Sequence, residues 1–222
     1  MFRLDAHIER LEESTKILYM QLPGTQAEVC DIVLDLLRRN DVHEDIYVRP
    51  LVINNSNLLA PVLREEDSSF ICYCMPLKRY IDKDAIDVCV SSWRRVRDNA
   101  IPSRTKPTGG YLNSALARRE AMDNGFDEAI FLTEDGVVSE GSAEHVFLVR
   151  RGVVYSPPST KDNLDGITRR SLIEMVTEDL GLSFVERDIG RTELYVADEL
   201  FLCGTGAQVT PVRSVDRRVL GD

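Results

Sequence analysis

From Glu128 to Tyr155 the chain reads EAIFLTEDGVVSEGSAEHVFLVRRGVVY, and four strands can be traced through it. They fall at Glu128–Thr133, Val137–Glu140, His145–Val149 and Val153–Tyr155, rich in the β-branched and aromatic residues that suit a pleated, half-buried surface. Asp135-Gly136 and Arg151-Gly152 separate them as hairpin turns. Such a meander places an antiparallel sheet at the centre of the fold. Downstream, the apolar spacing predicts a helix over Ile167–Leu180, ended by Gly181. Short strands around Phe184 and Phe201 follow, with a helical turn at Leu194–Ala197 between them. Upstream, Ile86–Ser92 reads as a strand, Asp98–Thr108 as a polar loop and Leu112–Asp123 as a helix closed by Gly125.

The first third of the chain has another texture. Residues 5–19 predict an amphipathic helix with Asp5 as its cap. Residues 26–39 predict a better one, with Thr25-x-x-Glu28 as a capping box and Val29, Ile32, Val33, Leu36 and Leu37 as its apolar stripe. Strands are expected at Asp45–Ile53 and Ser69–Met75, and alternation puts Tyr47, Arg49, Leu51 and Ile53 on one face. A charged stretch then suggests a linker at 77–84, dividing a small domain (1–76) from a larger one (85–222). The class is α+β, mostly antiparallel, in two segments.

Composition narrows the function. Thirty-seven acids against 27 bases in 222 residues give a net charge of −10, which argues against a general nucleic-acid or anionic-membrane binder. No apolar run reaches the roughly 18 residues of a membrane span, and the N-terminal residues lack a signal-peptide core. Five cysteines, an odd number, make no disulfide framework. A reduced, cytoplasmic protein is expected. Five bases are lysines (Lys16, Lys78, Lys83, Lys106, Lys161) and the rest arginines. Only lysine forms an imine with a carbonyl, so covalent amine chemistry has five places to occur.

Phosphate-loop, dinucleotide, zinc-protease and serine-hydrolase motifs are absent. Cys72-x-Cys74 has poor zinc spacing and reads as structural, and three scattered histidines make no metal centre. Three loops stand out. Lys106-Pro-Thr-Gly-Gly-Tyr-Leu-Asn-Ser sets a lysine before a Gly-Gly helix start, where free amides face an anion; a solvated loop lysine is the alternative. Leu164-Asp-Gly-Ile-Thr-Arg brings the Ile167 and Thr168 amides to a helix N-terminus, or is a plain N-cap. Gly204-Thr-Gly-Ala is a ligand-wrapping turn or a simple bulge. Together they suggest a phosphorylated carbonyl cofactor, for which pyridoxal phosphate fits.

Those loops, in order with Ser139-Glu-Gly-Ser-Ala-Glu-His-Val-Phe and the longer Cys203-Gly-Thr-Gly-Ala-Gln-Val-Thr-Pro-Val, closely resemble the class IV aminotransferases. Tyr47-Val-Arg-Pro-Leu and His7-Ile-Glu-Arg-Leu narrow the resemblance to the branched-chain amino-acid branch, rather than D-amino-acid aminotransferase or aminodeoxychorismate lyase. The resemblance implies the two-domain fold-type IV architecture, with a small α/β domain and a larger, barrel-like one. It implies pyridoxal 5'-phosphate as cofactor, amino acids and 2-oxo acids as substrates, a biosynthetic setting, and a homodimer or higher homo-oligomer.

Residue by residue, it implies that Lys106 holds the cofactor as an imine and later moves the proton. Tyr111 would bond the cofactor's phenolic oxygen, and Glu140 would pair with its ring nitrogen. Arg10, Ile167, Thr168 and Thr205 would cradle the phosphate. The Gly206 and Ala207 amides would take the substrate α-carboxylate, while Tyr47 walls the pocket and Arg49 reads the distal carboxylate of 2-oxoglutarate. Two residues depart from the pattern: His145 stands where asparagine is usual and Ser156 where threonine is common. Relative to the family the chain also looks shortened at both ends, so a chain without activity is the competing expectation.

Overall fold

Thr25 and Glu28 close the capping box that their spacing predicts: Thr25 Oγ1 accepts the Glu28 N–H at 3.3 Å, and Glu28 Oε2 accepts the Thr25 N–H at 2.8 Å. Two donors that a helix start leaves open are thereby satisfied. Helix α2 (Gln26–Arg39) runs from this box and packs on α1 (Leu4–Ile17). Ile8, Val29 and Val33 are fully buried, whereas Ile32, expected in the stripe, is exposed. Arg3, not Asp5, occupies the N-cap of α1, and Asp5 lies in the first turn, where a carboxylate favours the positive end of the helix dipole. Strands β1 (Ile46–Asn54) and β2 (Ser68–Pro76) pair antiparallel, setting Tyr47 opposite Met75 and Arg49 opposite Tyr73.

The computed structural model describes residues 1–77 and 83–221, and the chain separates into two compact units, Met1–Lys78 and Arg79–Asp222. Most of the linker expected at 77–84 lies outside the described residues.

The second unit is built on the meander and a strand the sequence reading missed. Its elements are β3 (Ile86–Arg94), α3 (Tyr111–Asp123), β4 (Glu128–Leu132), β5 (Val138–Gly141), β6 (His145–Arg150), β7 (Val153–Ser156), α4 (Ile167–Glu174), β8 (Ser183–Glu186), β9 (Glu199–Gly204), β10 (Gln208–Val215) and β11 (Arg218–Val219). The sheet order is β5-β4-β3-β10-β9-β6-β7-β8, with β11 beside β10. Most neighbours are antiparallel; β3 is parallel to β4 and β10, and β7 to β8. Gly136 (φ 83°), and Arg151 (φ 53°) with Gly152 (φ 73°), supply the left-handed residues the two hairpins need.

Strand β10 is central. Gln208–Pro211 pair with β9, and Val212–Val215 pair with β3. Pro211, which lacks an N–H, stands where the strand changes neighbours, a place that tolerates it. Its inward residues include Thr210 and Ser214, so its alternation is not apolar; that is why it escaped the sequence reading. The helix expected over Ile167–Leu180 is α-helical to Glu174 and continues as a π-turn over Met175–Asp179, with Gly181 at φ 63°. The turn expected at Leu194–Ala197 is a 3₁₀ segment, Arg191–Val196. Ile86, Val88, Ile130, Val146, Leu148, Leu200 and Leu202 form a core cluster across β3, β4, β6 and β9, and Phe147 stacks on Phe201 at 5.1 Å beside it. This core fixes the strand ends that carry the site.

Candidate active site

Several segments of the second unit converge on one carboxylate. Glu140, near the end of β5, is buried. Its Oε1 lies 2.9 Å from Arg95 Nη2, and its Oε2 accepts the Leu164 N–H at 3.1 Å. Arg95, one residue beyond β3, also donates to the Asp162 carbonyl and to Ser114 Oγ, both at 3.3 Å. Its guanidinium stands 5.5 Å from the Phe131 ring centre. Burial pushes the Glu140 carboxyl above its ordinary range, while Arg95, the Leu164 amide and Lys106 pull the other way. Arg95 was not singled out in the sequence, and Leu164 only as the first residue of a motif read for its helix start. An arginine at the end of an apolar strand carries no local signal, because its partner lies 45 residues on.

Lys106 precedes a 3₁₀ turn at Thr108–Gly110 that feeds α3, and Tyr111 is the first residue of that helix. Lys106 Nζ stands 5.5 Å from the Tyr111 ring centre. Both side chains are exposed, and a Cβ on Gly109 would meet nothing within 4 Å, so an amine and a phenol share open space. The segment entering at Leu164 leads to Gly166, the N-cap of α4, which has no side chain to occupy the first-turn amides. Ile167 is buried and Thr168 half-buried. The Gly204–Ala207 turn joins β9 to β10, with Thr205 exposed and Ala207 buried; the Ala207 carbonyl accepts from Thr210 Oγ1 at 2.8 Å. A Cβ on Gly204 would lie 3.6 Å from the Ala143 carbonyl, so this turn rests on the turn that follows Glu140.

The remaining candidates belong to the first unit. Arg10 is half-buried on α1. On β1, Arg49 donates to the Tyr47 hydroxyl through Nε and Nη2 at 3.3 and 3.2 Å, with its guanidinium 5.1 Å from the Tyr47 ring centre. This contact holds the Arg49 guanidinium above its ordinary pKa. The two departures from the family pattern are one contact: His145 Nε2 and Ser156 Oγ lie 2.7 Å apart, both buried. Burial drives the imidazole down to about 3, with Arg169 adding to the shift.

An amine beside a phenol, a buried carboxylate and an uncapped helix start suit a phosphorylated pyridine aldehyde. Residues 1–215 match the model of the family described as amino-transferase class IV. The chain belongs to the class IV aminotransferases. These enzymes use pyridoxal phosphate. A protein of Aquifex aeolicus named "Probable branched-chain-amino-acid aminotransferase" is 42% identical, over 97% of this chain and 70% of its own length. The branched-chain-amino-acid aminotransferase of Escherichia coli strain K12 is 36% identical, over 100% and 73%. Among solved structures, the branched-chain aminotransferase of Thermoproteus uzoniensis with norvaline superposes with a TM-score of 0.93 at 40% identity, covering 99% of this chain and 73% of that one. The PLP-form enzyme of Thermobaculum terrenum gives 0.94 at 39%, covering 99% and 72%. The α+β architecture is therefore fold-type IV, as the motifs implied. Among the described residues no helix is long and apolar enough to cross a membrane.

Proposed function

We propose that this class IV aminotransferase transfers amino groups between branched-chain amino acids and 2-oxoglutarate. The observation that carries the reading is that Lys106 stands 5.5 Å from the Tyr111 ring centre and acts electrostatically on the buried Glu140. The names of the relatives supply the branched-chain assignment. Bound pyridoxal phosphate supplies an electron sink for the carbanion formed when the substrate Cα loses its proton.

Each protein group has a part of its own. Lys106 Nζ is the primary amine that attaches the cofactor and then accepts and returns the Cα proton. Tyr111 donates to the cofactor's phenolic oxygen. Glu140, kept in place by Arg95 and the Leu164 amide, holds a proton on the ring nitrogen, where charge develops in the transition state. The Ile167 and Thr168 amides and Thr205 would take the phosphate, and the Gly206 and Ala207 amides the α-carboxylate. Tyr47 and Arg49 sort the side chains, the ring against an apolar chain and the guanidinium against the distal carboxylate of glutamate. The reading includes a homodimer or higher homo-oligomer, and a cytoplasmic setting with which five unpaired thiols agree.

Lys83 and Lys161 are held in ion pairs with Asp127 and Asp188, which leaves Lys106 the better placed amine. Reduction of the pyridoxal-phosphate-loaded chain with borohydride, followed by peptide mapping, should label Lys106, and leucine should discharge the imine absorption band. Label on Lys16, Lys78, Lys83 or Lys161 would overturn the assignment.

A further inference from the structure

Two arginines and two acids meet at the start of α4. Asp165 stands one residue before Gly166, the N-cap of that helix. Arg170 donates to its Oδ2 through Nε at 3.0 Å and Nη2 at 2.8 Å, and Arg169 Nη1 donates to its Oδ1 at 3.4 Å. Arg169 also reaches the sheet, where its Nη2 is paired with Glu186 at the end of β8. The Arg169 side chain is 6% exposed, and its Nε is buried with no partner among the described residues. Its place therefore depends on the two acids, since a buried guanidinium needs paired charge.

These bonds close a loop around Gly166, which has no side chain to fix the chain's entry into the helix. Asp165 lies on one side of it and the two arginines on the other. A Cβ on Gly166 would come within 3.7 Å of Arg169 Cβ, and the Arg170 N–H donates to the Gly166 carbonyl at 3.0 Å. An acid this close to a helix start is well suited to cap its first-turn amides. Here both carboxylate oxygens of Asp165 accept from arginine, and Gly166 brings no side-chain cap of its own. The clamp holds the backbone that carries the Ile167 and Thr168 amides without spending those amides on the acid.

We infer that Asp165 is a positioning residue for the phosphate end of the cofactor: held by Arg169 and Arg170 across Gly166, and tied through Arg169 to β8, it sets the α4 start so that the Ile167 and Thr168 amides meet one anion. The inference rests on the proposed reading of that start as part of the phosphate cradle. Donors fixed in advance bind an anion without the cost of ordering them first. The sign of the effect separates positioning from charge. Through space an acid repels a phosphate, so deleting its charge alone would tighten binding. Deleting a positioning group loosens it.

The test compares pyridoxal phosphate with pyridoxal, which lacks the phosphate but still offers its aldehyde to Lys106. Dissociation constants for both are read from the imine absorption band in wild type, Asp165→Ala and Asp165→Asn. Asp165→Ala should bind pyridoxal phosphate about tenfold more weakly, the worth of one charge-assisted contact, with pyridoxal unchanged. Asp165→Asn keeps the shape and one acceptor, and it carries the test if the alanine variant does not fold. It should lose less, again with pyridoxal unchanged. Tighter binding of pyridoxal phosphate by either variant would overturn positioning in favour of simple repulsion. Unchanged binding in both variants, or equal losses for the two ligands, would also overturn it, the latter leaving Asp165 a purely structural part. If the wild type binds pyridoxal phosphate no better than pyridoxal, the cradle reading fails and takes the positioning role with it. A wild type that prefers the phosphate, with variants that keep the full preference, removes Asp165 alone.

Discussion

Replacing Arg95 with methionine should destabilise the second unit in a way that depends on pH. The Arg95 and Glu140 side chains are 14% and 9% exposed and stand 2.9 Å apart, so the pair is out of water. Removing one partner of such a pair typically costs about 3–5 kcal/mol, because the other charge is left buried. Methionine keeps most of the stem against Phe131, and the Leu164 amide still serves Oε2, which points to the low end, about 3 kcal/mol. Losing Arg95 removes the strongest contact that holds the Glu140 carboxyl down, so its pKa rises further. Glu140 is already raised by burial, and without Arg95 it takes up a proton instead of standing as a bare anion. The sign follows. A folded pKa above the unfolded one contributes stability that is lost as pH rises through the folded value, and the variant exaggerates this. The penalty should therefore be larger at pH 8 than at pH 5, rising toward about 3 kcal/mol as Glu140 ionises in the wild type. Urea denaturation of cofactor-free wild type and variant at pH 5, 6, 7 and 8 measures it. With a slope of about 2–3 kcal/mol/M, the midpoint at pH 8 should fall by about 1 M or more. A loss under about 1 kcal/mol at pH 8, or equal losses at pH 5 and pH 8, would refute the reasoning.

Glu140→Gln should lower turnover far more than pyridoxal-phosphate affinity, since the charge facing the ring nitrogen matters most as the carbanion develops; single-turnover kinetics beside a cofactor titration separate the two. Arg49→Ala should weaken 2-oxoglutarate by about ten- to a hundredfold, the worth of a charge-assisted hydrogen bond, and leucine much less, as read by separate half-reaction constants. His145, at about 3 in the fold, sits below its unfolded value near 6.5, so its stability is present above pH 6.5 and lost as pH falls toward 3. His145→Asn should flatten that acid limb by up to about 1.4 kcal/mol per pH unit, and an unchanged limb in acid-titrated melting curves would count against it.

Local chemistry was legible wherever one segment carried its own signal. The Thr25–Glu28 box and the two hairpin glycines are decided within four residues, and their geometry follows the sequence closely. Strand β10 shows the limit of that logic. Its inward positions hold Thr210 and Ser214, and Ser214 Oγ bonds the Asp87 carboxylate at 2.6 Å, so polar residues stand where alternation looks for apolar ones. Its place between β3 and β9 is decided by partners more than a hundred residues away, in one case, and by a change of neighbour at Pro211. A propensity window sees neither. The switch from α to π at Met175 is equally invisible, since no residue there carries a local signal for it.

The site divides along the same line. Lys106, Tyr111, Glu140 and the α4 start lie in motifs whose residues are adjacent, and the resemblance was carried by those motifs. What holds Glu140 in place could not be read from the motifs: Arg95 lies in none, and Leu164 opens one that was read only for its helix start. Arg95 reaches it from the end of β3, and the Leu164 amide from a loop 24 residues on, contacts that exist only after the sheet has formed. The His145–Ser156 pair makes the point from the other side. Read along the chain, these are two separate departures from a family pattern, each easily discounted. In the fold they are donor and acceptor of one buried hydrogen bond between β6 and β7, and leaving either partner alone would cost about 1–3 kcal/mol. A residue's departure from its family is therefore best weighed against what it touches. Here a histidine readily taken for lost function is a neutral group whose Nε2 has a partner in Ser156, while its Nδ1 is buried with none among the described residues.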